Sequence, residues 1–386
     1  MTQALSSPAA AASKAPGAGL EGVVAAKSAI CFIDGKAGRL VHRGYEIGDL
    51  VENLSFEETA FLLWDAKLPT RAQLNELKQQ IAANVALPGF AQKLLRTIPH
   101  QTPPIDVMRT AISALGGVDP DLSSNELAAD RRKAVRILAQ LPTIVCAFHR
   151  LRNGTEPVAP DPSLSIAGNF LYMLNGAKPH DTLTRVLDAA LVLHAEHGMN
   201  ASTFAARVTA ATLADMHAAI TAALAALKGP LHGGANQDVM ELLLEAGTPE
   251  KAEQLVRQML ADHQKVPGFG HRVYRTLDPR ATFLRKMSKQ LGEAAGNSKW
   301  YEMSERLIPI VKQLKDKDPN VDFFSASAYY TMGIPLDLFT PMFGIARAAG
   351  WSAHVMEQHQ NNRIIRPTDD YVGPFGLKTV PIEQRS

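Results

Sequence analysis

Apolar residues spaced three and four apart recur along most of the chain, and that period commits it to helices. Phe56, Ala60, Leu63 and Trp64 form one such stripe, Leu183, Val186, Leu187, Ala190 and Leu191 another, and Val239, Leu242, Leu243 and Ala246 a third. Ser55-Phe56-Glu57-Glu58 has the form of a capping box opening the first stripe. Clusters of Pro, Gly and Asp separate the stripes, with no internal repeat and no series of parallel-strand patterns. One short exception precedes them: Ala29 to Ile33 and Arg39 to His42 flank Asp34-Gly35-Lys36-Ala37-Gly38, which reads as one small β-hairpin. The expected fold is therefore all-α apart from that hairpin.

At 386 residues the chain can bury enough core for one large domain or two. Lys and Arg number 40 against 38 Asp and Glu, so basic patches are local and general nucleic-acid binding is not implied. Cys31 and Cys146, far apart, make neither a disulfide framework nor a metal knuckle, which suits a reducing compartment. No apolar run reaches the roughly 18 residues of a membrane span. Residues 1–19 are rich in Ala, Ser and Pro, carry only Lys14 as a charge, and read as a disordered tail. Pro8, Lys14 and Pro16 interrupt any secretory apolar segment, and the first arginine is Arg39, so a mitochondrial presequence is not expected. Gln384-Arg385-Ser386 is not a peroxisomal address, which leaves the cytoplasm as the expected location.

Chemistry concentrates in Pro267-Gly268-Phe269-Gly270-His271-Arg272-Val273-Tyr274-Arg275-Thr276-Leu277-Asp278-Pro279-Arg280. An imidazole there follows glycines that permit close backbone approach, beside arginines suited to an anion such as a keto acid or a phosphorylated cofactor. A solvated basic loop has the same spacing. The Gly268-Phe269-Gly270 run is not a dinucleotide fingerprint, because the third glycine and a surrounding βαβ unit are missing. The stripe that begins near Asp181 continues into His194 and His197, which places both on an apolar helix face, the usual setting of a core histidine. Their spacing also invites a metal, but no third ligand or His-Glu-x-x-His pattern accompanies them. Arg347, four residues after Phe343 and four before Trp351, lies on an apolar helix side and needs a carboxylate, from this chain or from a ligand.

Two further stretches, Leu227-Lys228-Gly229-Pro230-Leu231-His232-Gly233-Gly234-Ala235-Asn236 and Pro319-Asn320-Val321-Asp322-Phe323-Phe324-Ser325, complete a pattern. Together with Gly268 to Arg280, they closely resemble citrate synthase. The resemblance runs from about Gly19, through Ile33-Asp34-Gly35 and Tyr45, to Arg366-Pro367. It implies condensation of the acetyl-CoA methyl group with the keto carbon of oxaloacetate, followed by hydrolysis of the thioester. Asp322 matches the family's base, His232 the donor to the thioester oxygen, and His271 the residue that polarises the oxaloacetate carbonyl. His197, Arg280, Arg347 and Arg366 match contacts to oxaloacetate, with His194 left as structural. Arg275, Lys315 and Lys317 are candidates for the CoA phosphates. No metal or other cofactor is implied, acetyl-CoA being a substrate.

The same resemblance implies a large helical domain over 20–232 and 328–386, and a smaller one over 233–327 whose closure excludes water. It is to the short type, a homodimer in which Arg366 reaches the neighbouring subunit's active site. Pro103-Pro104, where the family often has His-Pro, and His42, where it has an aromatic residue, depart from the pattern. The 2-methylcitrate synthases, which take propionyl-CoA through the same residues, are the nearest alternative; a CoA-binding or assembly protein that has lost catalysis is a remote one. The acyl pocket differs by one methylene, a distinction no motif carries.

Overall fold

The computed structural model describes residues 18–20 and 22–385. Of the expected N-terminal tail, only its last two residues are described, in a single turn over Ala18–Leu20; the rest of that expectation lies outside the described residues.

Where one hairpin is expected, a three-stranded antiparallel sheet forms from β1 (Cys31–Asp34), β2 (Arg39–His42) and β3 (Tyr45–Glu46). The β1–β2 turn closes as read, with Asp34 Oδ1 accepting the Lys36 and Ala37 N–H groups, both at 2.9 Å. The register pairs Cys31 with His42 and Asp34 with Arg39. The third strand is two residues long, paired through Val41 with Glu46 and His42 with Tyr45, too short to announce itself by alternation.

Among the described residues, everything else of regular structure is helical. The first ten helices are α1 (Ile47–Asn53), α2 (Phe56–Asp65), α3 (Arg71–Asn84), α4 (Gly89–Thr97), α5 (Pro104–Gly116), α6 (Leu127–Arg152), α7 (Ile166–Asn175), α8 (Asp181–His194), α9 (Ala201–Ala210) and α10 (Met216–Leu227). Six of them, α2, α5, α6, α8, α9 and α10, pack on α16 (Phe339–Gln360), which buries Phe339, Trp351 and Val355 completely. Between them in sequence, α11 (Ala235–Ala246), α12 (Pro249–Ala261), α13 (Pro279–Ala294), α14 (Lys299–Lys315) and α15 (Val321–Thr331) pack chiefly on one another. This second group meets the first through α13 against α1 and α8 and through α11 against α16. Among the described residues no helix is long and apolar enough to cross a membrane.

Local sequence accounts for many helix boundaries. The Ser55 capping box is complete: its hydroxyl accepts the Glu58 N–H, and the Glu58 carboxylate accepts the Ser55 N–H at 2.9 Å. Pro103 caps α5 and Pro104 occupies its first turn, so the Pro-Pro departure starts a helix. One expectation is corrected. The α8 stripe does not carry His197: the helix ends at His194, and His197 sits in the turn that follows. That turn is held from outside, since Arg347 Nε donates to the His194 carbonyl at 2.7 Å and Gly350 N–H to that of Ala195 at 3.1 Å.

Candidate active site

Two segments distant in sequence are joined by backbone pairing. Gly270 N–H donates to Asp318 O and Asn320 N–H to Gly268 O, each at 2.9 Å, with a bridge between Phe269 and Pro319. Asn320 also donates from its amide to Gly270 O at 2.8 Å while its Oδ1 caps α15 by accepting the Asp322 N–H at 2.9 Å. His271 and Asp322 are thus positioned by one small ladder. Gly268 makes it possible: its φ is +77°, and a Cβ there would lie 2.7 Å from Val239 Cγ2 and 2.8 Å from the Phe323 ring.

The tautomer of His271 follows from its partners. Nδ1 accepts the Val273 N–H at 3.0 Å and the Tyr274 N–H at 3.2 Å, so in the neutral ring the proton is on Nε2. Burial, aided by the charge of Arg280, lowers its pKa to about 4, so the ring is neutral near pH 7 and offers Nε2–H as a donor. Its ring lies 5.1 Å from that of His197 and 4.7 Å from that of Tyr274. The Tyr274 hydroxyl is 3.2 Å from His197 Nε2. Burial, then the nearby Arg280, hold His197 well below the ordinary histidine range.

Arg280, 2% exposed, lies with Asp278 beside this cluster. Asp278 Oδ1 accepts Arg280 Nε at 3.0 Å and Oδ2 accepts Nη2 at 2.7 Å, and Asp278 also caps α13. Burial would push the Asp278 carboxyl up, but Arg280 overrides it and keeps the group ionised. The fork leaves Nη1 for a further acceptor. Arg347 is 1% exposed and, among the described residues, hydrogen-bonds only through Nε, with Nη2 buried and unpartnered; the guanidinium stacks 4.6 Å from the Phe343 ring centre. Burial pulls it down to about 10, partly offset by the Glu196 carboxylate, so it stays charged at neutral pH.

His232 lies just before α11, with Nε2 2.8 Å from Ser202 Oγ. That hydroxyl takes the Trp351 Nε1–H at 3.2 Å and has one proton for two acceptors, His232 Nε2 and, at 2.8 Å, Asn200 Oδ1. His232 offers Nδ1–H as a free donor in the tautomer in which that proton goes to its Nε2; when the proton goes to Asn200 Oδ1, Nε2–H donates to Ser202 instead. Burial, reinforced by Arg347, lowers this pKa to about 4 as well. Asp322 is shifted the other way: burial, opposed by Arg280, raises its carboxyl to about 6. Two neutral imidazoles and a carboxylate of raised basicity make a set suited to removing a weakly acidic proton while a carbonyl oxygen gains charge.

The remaining expected residues stand apart from this cluster. Arg366 is exposed on the irregular segment that follows α16. Arg275, Lys315 and Lys317 are exposed; Lys317 lays its aliphatic stem against Gly270, and Arg275 is tied by its N–H to Gly35 O at 2.8 Å. Sequence reasoning missed Ser202, Tyr274 and Asp278. Only Asp278 carried a signal, as a cap residue directly before proline. His42, the departure, is fully buried and meets the Glu196 carbonyl through Nε2 at 3.1 Å, so it supports the His197 turn.

The family described as "Citrate synthase, C-terminal domain" matches residues 19–368. Citrate synthase 2 of Bacillus subtilis (strain 168) is 50% identical over 369 residues, covering 95% of this chain and 99% of its own length. A 2-methylcitrate synthase of Shewanella oneidensis is 41% identical over 375 residues, covering 97% and 99%. Among solved structures, the ternary complex of carboxymethyl coenzyme A and oxaloacetate with the Thermoplasma acidophilum citrate synthase superposes with a TM-score of 0.90. It is 32% identical and covers 95% of this chain and 98% of that one.

Proposed function

Since the chain belongs to the citrate synthase family and is a transferase that condenses acetyl-CoA with oxaloacetate, we propose that His232, His271 and Asp322 carry the reaction. The observation that supports this most directly is the tautomer of His271: with Nδ1 occupied by two backbone donors, Nε2–H is free to hydrogen-bond the oxaloacetate carbonyl. Polarising that carbonyl makes its carbon electrophilic. His197, Arg280 through Nη1 and Arg347 through Nη2 hold the two carboxylates, with Arg366 supplied by the second subunit of a homodimer.

Asp322 then takes a proton from the acetyl methyl group while His232 Nδ1–H supports the developing enolate oxygen. The enolate carbon attacks the polarised carbonyl, and water cleaves the resulting citryl thioester. Neutral imidazoles suit both donor roles, because a hydrogen bond stabilises the new oxyanion without a full proton transfer in advance. Arg275, Lys315 and Lys317 receive the CoA phosphates. Residues 233–327 act as a smaller helical domain closing on 20–232 and 328–386, which excludes water before the carbanion-like species forms. The reaction calls for no cofactor besides its substrates, and the enzyme works in the cytoplasm, at the entry to the tricarboxylic acid cycle.

The test is release of free thiol from acetyl-CoA in the presence of oxaloacetate by the purified protein. A kcat/KM for acetyl-CoA above that for propionyl-CoA is expected. The reverse order would assign the chain to the 2-methylcitrate side of the family, and no thiol release from either would reject catalysis.

A further inference from the structure

The turn that carries His197 is held by a polar network that the catalytic scheme does not use. Glu196 is fully buried, and its Oε1 accepts the Gly198 N–H and, at 3.1 Å, His354 Nε2–H. His354, 1% exposed, has its tautomer fixed from the other side: Nδ1 lies 3.0 Å from Arg207 Nη1, and a guanidinium can only donate. Arg207, 3% exposed, donates from Nε to Gln358 Oε1 at 3.1 Å. Gln358 in turn donates to Asn362 Oδ1 at 3.0 Å and to the Arg363 carbonyl at 3.3 Å, and Asn362 donates to Ala211 O at 3.1 Å. The directions of donation agree at every step. The series begins at the backbone beside His197 and ends three residues before Arg366.

We propose that His354, acting through Glu196, is a positioning residue for oxaloacetate, and that Arg207 and Gln358 extend the same bonds to the root of the segment carrying Arg366. The inference rests on the reading that His197 and Arg366 hold oxaloacetate. The physical argument is that α8 ends before His197, so no helical hydrogen bonds fix that residue. Its place is instead set by what the flanking groups receive: the Glu196 carbonyl from His42, and the Glu196 carboxylate from His354 and Gly198. Removing the His354 donor leaves a buried carboxylate short of a partner, and the turn relaxes to find another. Gln358 does the corresponding work for the chain leaving α16, where the backbone has lost its helical partners.

The test compares His354→Leu, which can neither donate nor accept, with His354→Gln, which can do both. His354→Leu is expected to raise the KM for oxaloacetate about tenfold, a charged buried hydrogen bond being lost. The KM for acetyl-CoA at saturating oxaloacetate should move less than about twofold, and His354→Gln should recover most of the change. A lowered melting temperature with an unchanged oxaloacetate KM would reduce His354 to packing and overturn the proposal; so would equal defects in the Leu and Gln variants. Gln358→Met, at the far end, provides a second arm should His354→Leu not fold. It is expected to raise the oxaloacetate KM in the wild-type background and to add nothing when Arg366→Ala is already present. The same factor in both backgrounds would sever the proposed link to Arg366. Arg366→Ala and His197→Ala alone serve as references: if both leave the oxaloacetate KM unaltered, the reading of those two residues fails, whatever His354 does.

Discussion

Asp322 shows how a single residue takes on opposed demands. Burial raises its carboxyl to about 6 from an ordinary 3.8. A carboxyl raised on folding contributes fully to stability below its unfolded pKa and loses that contribution as pH rises through the folded value. Asp322→Asn should therefore melt higher than the parent above pH 6, with the gap closing toward pH 4, as thermal melts across that range would register. Turnover should fall at least about a hundredfold in the same variant, while oxaloacetate binding persists. A variant with near-normal turnover, or one no more stable at pH 8 than at pH 4 relative to the parent, would take the base role or the raised carboxyl away from Asp322. The histidines obey the opposite sign. His232 and His271, lowered to about 4, support stability above 6.5 and withdraw it as pH falls toward 4.

At the scale of elements, close backbone approaches decide where the proposed catalytic groups sit. The 268–270 and 318–320 segments pair only because Gly268 has no Cβ to strike Val239 and Phe323. Gly268→Ala should displace His271 and Asp322 together and lower kcat at least about tenfold, with a loss of stability exceeding the 1–2 kcal/mol of left-handed backbone strain alone. Gly296→Ala is the control: its φ of +62° is similar, but nothing lies within 4 Å of a Cβ there, so strain alone should register and kcat should hold. Equal effects of the two on kcat would show that the pairing does not position the site. Gly350 does similar work in α16, where a Cβ would stand 2.1 Å from Glu196 Oε2 and 2.5 Å from Ala195 O. The α16 helix can therefore lie directly against the His197 turn.

At the scale of the whole molecule, Arg366 is the informative residue, because it is exposed on an irregular stretch between α16 and a single 3-10 turn at Ile382–Gln384. That segment also exposes Tyr371, Val372, Phe375 and Leu377, which the proposed homodimer would cover. Defective Asp322→Gly and Arg366→Ala proteins, unfolded and refolded together in equal amounts, should regain about a quarter of wild-type activity if sites are shared in an isologous dimer. Half the dimers would then be mixed, and each would hold one site with neither defect. A verified mixed population that recovers nothing above the parental residue would mean that Arg366 serves its own chain.

What could be read from sequence was whatever depends on neighbours along the chain. The apolar periods gave the helices, Ser55 and Glu58 the start of α2, and the Gly268 to Arg280 signature the family; each is set by local sterics, capping or chemistry that a short window contains. The limits of that reading follow from the same cause. Pro142 and Pro309 lie inside α6 and α14, where local preference would break a helix, because packing on neighbouring helices overrides it. His197 leaves the α8 stripe because Arg347 and Gly350, about 150 residues later, claim the carbonyls that would continue the helix. Tertiary structure alone decided that Asp278 neutralises Arg280, that two backbone donors set the tautomer of His271, and that Ser202 orients His232. These choices depend on which groups meet in space and on the exclusion of water around them, which turns an ordinary histidine or aspartate into a neutral donor or a stronger base.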